Sequence, residues 1–533
     1  MLRKIRVIAA SVFFTGITLL LLDVTGYIHL WLGWMAKIQF LPAALALNLV
    51  TVAFLVLVTL LMGRVYCSVI CPLGIMQDII SWSHGKVKKR FRYRFGYKKE
   101  NKFLRYGTLL VFIICLALGV PAITGILAPY SSFGRIAENL FAPVYGAVNN
   151  LLAWIADRAG SYTFYSTDVW IKSIPTFIVA VLMFIVIFVS AWRGGRMWCN
   201  SICPVGTILG FFSRFSIFVP QIDTEKCRRC GLCGKACKSS CIDMDKHQID
   251  YSRCVVCMDC LENCKEGAIR YGFRYGRAKS PGSLPLNQKQ HQNLNLNLNN
   301  KYTKNSNKNN DKNMDKLGSS ESVKSDSSRR GFISATALLA VTLAKAQNNS
   351  LKNRLAPERK HRTMQRETRI VPAGSVSLKH FSNHCTACQL CVNTCPNDVL
   401  RPSSRLESFM QPEMSFERGY CRPECSKCSE VCPAGAIRRI TPEEKSSIQI
   451  GHAVIDLELC VVNTDGVRCG NCAKHCPSGA ILMVLSDRNN PKSLRIPAVN
   501  EDVCIGCGAC ENLCPSSPYP AIHIEGHEVH KTI

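Results

Sequence analysis

Four stretches of the chain are apolar for too long to be ordinary surface helices. They cover about 5–22, 40–62, 103–128 and 171–192. Uninterrupted apolar runs of about 18 residues or more predict membrane-spanning helices. The first begins on the basic "MLRKIR" and leads into Asp23 and aromatic residues, not into a small-residue cleavage site, so a retained helix is expected. Between the third and fourth runs, residues 138–159 ("ENLFAPVYGAVNNLLAWIADRA") read as an amphipathic helix lying in the interface. Beyond residue 220 the long apolar runs stop, and short elements separated by closely spaced cysteines take over.

Charge orients the spans. Lys and Arg crowd the N-terminus, the loop "HGKVKKRFRYRFGYKKENK" and the "WRGGR" that ends the fourth run, whereas 129–170 is poorer in them and carries several acids. The positive-inside rule then puts the N-terminus, the 63–102 loop and the chain after 192 in the cytoplasm, with 129–170 on the other side. The formal net charge is +28. Much of that excess lies beside apolar spans and in a polar linker, so no nucleic-acid partner is expected.

The chain has 30 cysteines among 533 residues. Disulfide scaffolds are short secreted chains, and most of these cysteines fall instead in closely spaced groups of the C-x2-C-x2-C-x3-C kind, the run that holds [4Fe-4S] clusters. The first two runs are Cys227, Cys230, Cys233, Cys237 and Cys254, Cys257, Cys260, Cys264. The fourth cysteine of each run ligates the other cluster, so Cys264 is expected with Cys227, Cys230 and Cys233, and Cys237 with Cys254, Cys257 and Cys260. Lys238 and Lys265 stand where such runs carry proline, and Cys241 is an alternative ligand.

Four further groups end in Cys-Pro: Cys385, Cys388, Cys391, Cys395; Cys421, Cys425, Cys428, Cys432; Cys460, Cys469, Cys472, Cys476; and Cys504, Cys507, Cys510, Cys514. Zinc ribbons need pairs of C-x2-C and do not match this pattern. Spacing leaves open which groups exchange their fourth ligands. The preferred arrangement exchanges first with fourth and second with third. In all, 24 cysteines serve six [4Fe-4S] clusters.

Of the six left over, Cys115 lies in an apolar run and reads as a packing residue. Four others form a repeated motif. "GRVYCSVICPLG" (63–74) and "GRMWCNSICPVG" (195–206) both read Gly-Arg, then Cys-x3-Cys-Pro-x-Gly, after the second and fourth apolar runs. This is an internal duplication of a two-helix unit. Cys67 and Cys71, like Cys199 and Cys203, share a helix face at i and i+4. If the duplicated helices pack side by side, the four thiols form one metal or redox site, here assigned a redox or quinol-linked role. The competing reading is a Cys-Pro turn that only redirects the chain.

The chain divides into a four-helix membrane domain (1–220), a two-cluster ferredoxin (221–275), an Asn/Lys/Ser-rich linker (276–324), an internal export signal or anchor (325–346) and a four-cluster domain (347–533). The fold class is thus a four-helix transmembrane domain plus α+β bacterial ferredoxin-like domains. The export segment reads Ser328-Arg329-Arg330-Gly331-Phe332-Ile333, followed by a short apolar run and "AKA" at 344–346, and resembles a twin-arginine signal. No C-x-x-C-H haem site occurs, and His29 and His84 are the histidines nearest the spans.

Residues 1–275 resemble the membrane subunit (NapH-type) of the quinol dehydrogenase that serves periplasmic nitrate reductase. Residues 325–533 resemble its exported four-cluster partner (NapG-type). The order suggests a fusion of two normally separate proteins. The resemblance implies a bacterial inner-membrane protein, its two-cluster domain cytoplasmic and its four-cluster domain periplasmic. It implies menaquinol or ubiquinol oxidation, with electrons passed to a periplasmic reductase or its cytochrome subunit, and export by the twin-arginine translocase. Other readings are an assembly factor for a periplasmic reductase, or a relay to another reductase such as nitrous oxide reductase.

Overall fold

The computed structural model describes residues 1–23, 27–87, 95–161, 163–167, 169–275 and 364–533. The expected linker and export segment lie outside the described residues. In the first half the helices are α1 (Leu2–Leu21), α2 (Ile28–Lys37), α3 (Phe40–Leu45), α4 (Leu49–Met62), α5 (Pro72–Val87), α6 (Lys102–Ala117), α7 (Pro121–Leu127), α8 (Pro129–Ile136), α9 (Ala142–Arg158), α10 (Ile174–Gly194), α11 (Met197–Ser201) and α12 (Pro204–Ser213). Single π-helical turns, Tyr66–Ile70 and Ala137–Phe141, precede α5 and α9.

Among the described residues two helices, α1 and α10, are long and apolar enough to cross a membrane. The other two expected spans are broken. The run 40–62 divides into α3 and α4 at Ala46–Asn48, where Leu47 takes φ 53° and the Asn48 side chain accepts from the Thr51 N–H at 3.1 Å. An asparagine in that role starts a new helix instead of continuing the old one. The run 103–128 breaks after α6 at Gly119 (φ 68°), and Pro121, which has no N–H to donate, opens α7. Apolar length in sequence therefore overstated helix length. The outward faces stay apolar all the same: Leu49, Val50, Phe54 and Leu57 on α4, and Leu110, Val111 and Ile113 on α6, are exposed. Helix α9 follows the amphipathic stretch at 138–159 and exposes Val148, Leu151, Trp154 and Ile155.

The cysteine-rich regions are built from two-stranded antiparallel sheets. In the first, β1 (Phe218–Ile222) pairs with β4 (Ile269–Phe273), and β2 (Ile242–Asp243) with β3 (Gln248–Ile249). In the second, β5 (Leu400–Pro402) pairs with β6 (Pro412–Met414), β7 (Ile448–Ile455) with β10 (Ile522–Thr532), and β8 (Ile481–Leu485) with β9 (Arg495–Val499). We call these the first and second modules.

The modules hold opposite ends of the helices. Arg3, at the start of α1, donates to Asp259 of the first module at 2.7 Å, while the carbonyl of Leu21, at its end, accepts from Asn393 of the second. At 1.5 Å per residue, the 20 residues of α1 separate those contacts by about 30 Å. One buried cluster continues from Ile17 and Leu20 of α1 through Phe133 and Ile136 of α8 to Phe381 and Leu390 of the second module.

Candidate metal centres

The loops that carry the cysteines curl because successive residues adopt left-handed backbone. Around the second cysteine of four runs, the flanking residues have positive φ: Arg229 and Gly231 about Cys230, Val256 and Met258 about Cys257, Ala387 and Gln389 about Cys388, Gly506 and Gly508 about Cys507. Such turns aim backbone N–H groups inward. The Ala387 N–H faces Cys385 and the Leu390 N–H faces Cys388. A short helix then carries the third cysteine and ends at the fourth, as in Leu232–Ala236 and Leu390–Thr394. The two runs with irregular spacing, at Cys421 and Cys460, do not show this alternation.

Six groups of four thiols result. In the first module Cys264 stands with Cys227, Cys230 and Cys233, and Cys237 shares a cavity with Cys254, Cys257 and Cys260, both as the spacing predicts. In the second module the preferred exchange is overturned. Cys432 joins Cys385, Cys388 and Cys391, and Cys395 joins Cys421, Cys425 and Cys428. Likewise Cys476 stands with Cys504, Cys507 and Cys510, and Cys514 with Cys460, Cys469 and Cys472. First therefore exchanges with second and third with fourth. The reason lies in packing: the helix Lys427–Val431 lies against Leu390–Thr394, which brings consecutive runs together. The second and fourth groups touch at the Cys421 N–H, which donates to the Cys507 carbonyl at 2.9 Å.

The donor chemistry fits iron–sulfur cubes. Thiolates are the soft ligands such clusters need. Among the described residues no three His, Cys, Asp or Glu side chains converge tightly enough for a single metal ion. A cube is wider than an ion, so its ligands stand further apart.

Charged side chains line these groups, and apart from Lys238 the sequence did not single them out. Lys238 reaches Asp259 at 3.0 Å and Asp78 of α5 at 3.7 Å, and its carbonyl accepts from the Arg196 N–H. Its place in the run is therefore used to dock the module, which a proline side chain cannot do. Lys445 donates to the carbonyls of Arg422 and Cys425 beside the Cys421 group. Burial opposes its charge, but Cys421 and Cys428 raise its pKa above the ordinary lysine range. Arg135 is fully buried against the second module, within electrostatic reach of Cys388, and donates to the carbonyls of Gly125 and Ala387. Cys241 Sγ lies 3.5 Å from Cys237 Sγ; that hydrogen bond brings the Cys237 thiol down to about 7 against its burial.

The repeated motifs meet, and each completes the other. Arg196 donates to the Cys67 carbonyl at 2.6 Å and Arg64 to the Cys199 carbonyl at 3.2 Å. A Cβ on Gly74 would stand 2.3 Å from the Cys67 oxygen, and one on Gly206 2.2 Å from the Cys199 oxygen, so glycine is required at both. Pro72 and Pro204 each open a helix directly after the second cysteine of the motif. Cys67, Cys71, Cys199 and Cys203 are all buried, and the other three all bear electrostatically on Cys203. Arg196 pairs with Asp78 through two contacts of 2.9 and 2.7 Å, and Arg6 adds a third at 2.7 Å. Burial would raise the Asp78 carboxyl, but these cations and Lys238 hold it well below the usual range.

Cys115 is buried in α6, as expected of a packing residue. His84 stacks on Trp192 at 4.1 Å and its Nδ1 meets the Trp192 carbonyl at 2.8 Å. A cavity of about 460 Å³ lies where α9 and residues 169–172 meet the second module; Glu138, Trp170, Lys172 and Cys395 line it. Glu138 accepts from Lys172 at 2.8 Å through Oε1, and its buried Oε2 has no hydrogen-bond partner among the described residues.

A family profile described as a 4Fe-4S binding domain matches residues 45–90 and again 176–220, and one described as a 4Fe-4S dicluster domain matches 384–436 and 466–517. Ferredoxin-type iron–sulfur domains are present in this chain. The first dicluster match encloses the first two runs of the second module, in keeping with their exchange. An uncharacterized protein of Methanocaldococcus jannaschii, MJ0749, is 24% identical over 268 residues, covering 50% of this chain and 86% of that protein. The ferredoxin-type protein NapG of Haemophilus influenzae is 31% identical over 185 residues, 33% of this chain and 61% of the relative. The ferredoxin-type protein NapF of Escherichia coli is 29% identical over 158 residues, 30% of this chain and 87% of the relative. The chain thus spans about three fifths of that NapG. No solved structure matches. With these relatives, the iron–sulfur domains make electron transfer of the ferredoxin type the chain's chemistry.

Proposed function

We propose that the chain is a membrane quinol dehydrogenase and iron–sulfur relay that oxidises menaquinol or ubiquinol and serves a periplasmic reductase system, nitrate reductase first. The observation that carries this reading is the pair of contacts at the ends of α1. A helix of about 30 Å matches the hydrocarbon thickness of a bilayer, so modules bound at its two ends belong on opposite faces. The four apolar regions, including the broken ones, form the membrane domain, with α4 and α6 turning apolar residues outward. Similarity to NapG and NapF favours the nitrate system.

Six [4Fe-4S] clusters held by the 24 run cysteines supply one-electron chemistry when bound. The protein's own part is to position quinol and take its protons. Quinol oxidation releases two electrons and two protons. The cavity at the second module suits the ring: Trp170 offers an apolar wall, Glu138 Oε2 accepts one of the two protons while the other passes to water on that face, Lys172 fixes that carboxylate, and Cys395 brings a thiol of the Cys421 group to the lining. Quinol then diffuses within the bilayer to the exported face, and its electrons reach the second module without crossing the hydrocarbon.

The test uses the full chain in liposomes. Menaquinol or ubiquinol analogues should bleach the visible absorbance of the second module's clusters. Fully loaded protein that stays oxidised would refute the reading. Cofactor content of the partner reductase from a deletion strain separates it from an assembly factor. A relay leaves that partner fully loaded, whereas loss of an assembly factor leaves it deficient.

A further inference from the structure

The 4Fe-4S binding profile matches two segments that contain none of the ferredoxin runs. Residues 45–90 hold Cys67 and Cys71, residues 176–220 hold Cys199 and Cys203, and no other cysteine lies in either. Each copy has two thiols, and a [4Fe-4S] cube takes four. Neither copy can fill a cluster alone.

The structure brings the copies together around these four sulfurs, and each sulfur faces a donor. Arg64 Nη2 is 3.6 Å from Cys67 Sγ, Gln77 Nε2 is 3.3 Å from Cys199 Sγ, and the Gly206 N–H is 3.4 Å from Cys203 Sγ. The Gly74 N–H is directed at Cys71 in the matching position. A neutral thiol is a weak acceptor and gains little from such a shell. A metal-bound thiolate gains much, because its orientation and basicity are tuned by outer hydrogen bonds.

Arg64 is the second, independent observation. Its side chain is fully buried. It donates to Asn200 Oδ1 at 2.7 Å and to the carbonyls of Ser252 and Cys199, and among the described residues no carboxylate pairs with it. Its counterpart Arg196 is neutralised by Asp78. A buried, uncompensated guanidinium is costly, so an anionic partner is missing from its surroundings. A cube held by four thiolates carries net negative charge and supplies that partner where Arg64 already points.

We propose that Cys67, Cys71, Cys199 and Cys203 hold one further iron–sulfur cluster, shared between the two halves of the internal repeat. Binding displaces the four thiol protons. The centre sits against the first module: Arg64 also binds the Ser252 carbonyl, and Asn200 donates to the Ser239 carbonyl, whose residue lines the cavity of Cys237 and Cys257. It extends the first module's relay to the membrane boundary. The assignment does not depend on quinol or on the identity of the reductase.

The experiment measures iron, acid-labile sulfide and zinc in the anaerobically purified full chain, with Mössbauer and EPR spectra, beside the Cys67→Ser/Cys199→Ser variant. Wild type should hold one cluster more than the six ferredoxin groups accommodate. The variant should lose one cluster's iron and sulfide and keep the remaining spectra. Unchanged iron, sulfide and spectra in a folded variant would overturn the proposal, as would one zinc bound at wild-type level and lost in the variant. If the serine variant does not fold, Arg64→Gln decides, because it keeps all four thiols. One centre should then move to lower potential while the others hold, and unchanged potentials throughout would refute the assignment. Poor loading of the six ferredoxin groups would lower the shared baseline of every sample, so it is distinguishable from absence of the further centre.

Discussion

Arg196 donates from Nη1 to the carbonyl of Cys67 at 2.6 Å, across 129 residues of sequence. That bond joins the second copy of the internal repeat to the first, and Arg64 returns it to Cys199. The repeat is thus a closed pair whose arginines serve the opposite motif. Both arginines and the first module meet at this junction, so its integrity governs docking as well as chemistry.

Asp78 is the hinge of that docking, because Arg6, Arg196 and Lys238 all converge on it. Removing one side of a buried ion pair strands the other and costs about 3–5 kcal/mol. Asp78→Asn should lower the melting temperature and expose the first module to limited proteolysis before the second. Equal cleavage of both modules, with no loss of stability, would contradict the arrangement.

Glycines test the closeness of the repeat. Gly74→Ala and Gly206→Ala place a methyl group inside contact distance of the Cys67 and Cys199 carbonyls and should each cost about 1–3 kcal/mol by overpacking. Gly107→Ala in α6, where nothing among the described residues lies within 4 Å, should be neutral or slightly stabilising. Denaturation of the three variants in detergent compares them directly.

Lys445 puts a positive charge beside the thiols of the Cys421 group. Reduction adds an electron there, and a nearby cation favours the reduced form. Lys445→Met should lower the potential of one second-module cluster by on the order of 50 mV, equivalent to about 1 kcal/mol for one electron. Redox titration followed by EPR reads the shift, and potentials that do not move would rule out this tuning role.

Cys241 offers Cys237 a substitute, with its sulfur 3.5 Å away. Cys237→Ser should keep a cluster at that site with an altered EPR line shape, and Cys237→Ser/Cys241→Ser should lose it. Equal loss in the single and double variants would show that Cys241 cannot replace it.

His530 makes the second module acid-sensitive. Burial first, and the neighbouring His527 second, depress its pKa from 6.5 to about 4. Between those values the unfolded chain binds a proton that the folded chain excludes. Stability is therefore complete above about pH 6.5 and falls as pH drops toward 4, by at most about 3 kcal/mol. His530→Phe should flatten the melting temperature of the module across that window.

The cysteine runs were readable because ligand spacing within one curled loop is a local property. For the same reason the exchange of Cys237 and Cys264 in the first module was readable: two runs allow one exchange. With four runs the partner depends on which loops pack, and the contact between Lys427–Val431 and Leu390–Thr394 chose neighbouring runs. The roles of Arg64 and Arg196 had a visible signal in the repeated Gly-Arg, whereas Lys445, Glu138 and Asp78 had none. Their importance comes from burial beside groups distant in sequence.

Sequence by itself determined the chemistry of this protein: thiols at cluster spacing, apolar segments beside basic loops, and a motif repeated twice. These depend on residue type and short-range periodicity. Tertiary structure decided where the apolar runs break, which cysteines share a site, and that the two Cys-x3-Cys-Pro motifs form a single place. Those outcomes depend on caps, on packing between helices and on buried charges that need partners, and each joins residues too far apart along the chain for spacing to reveal.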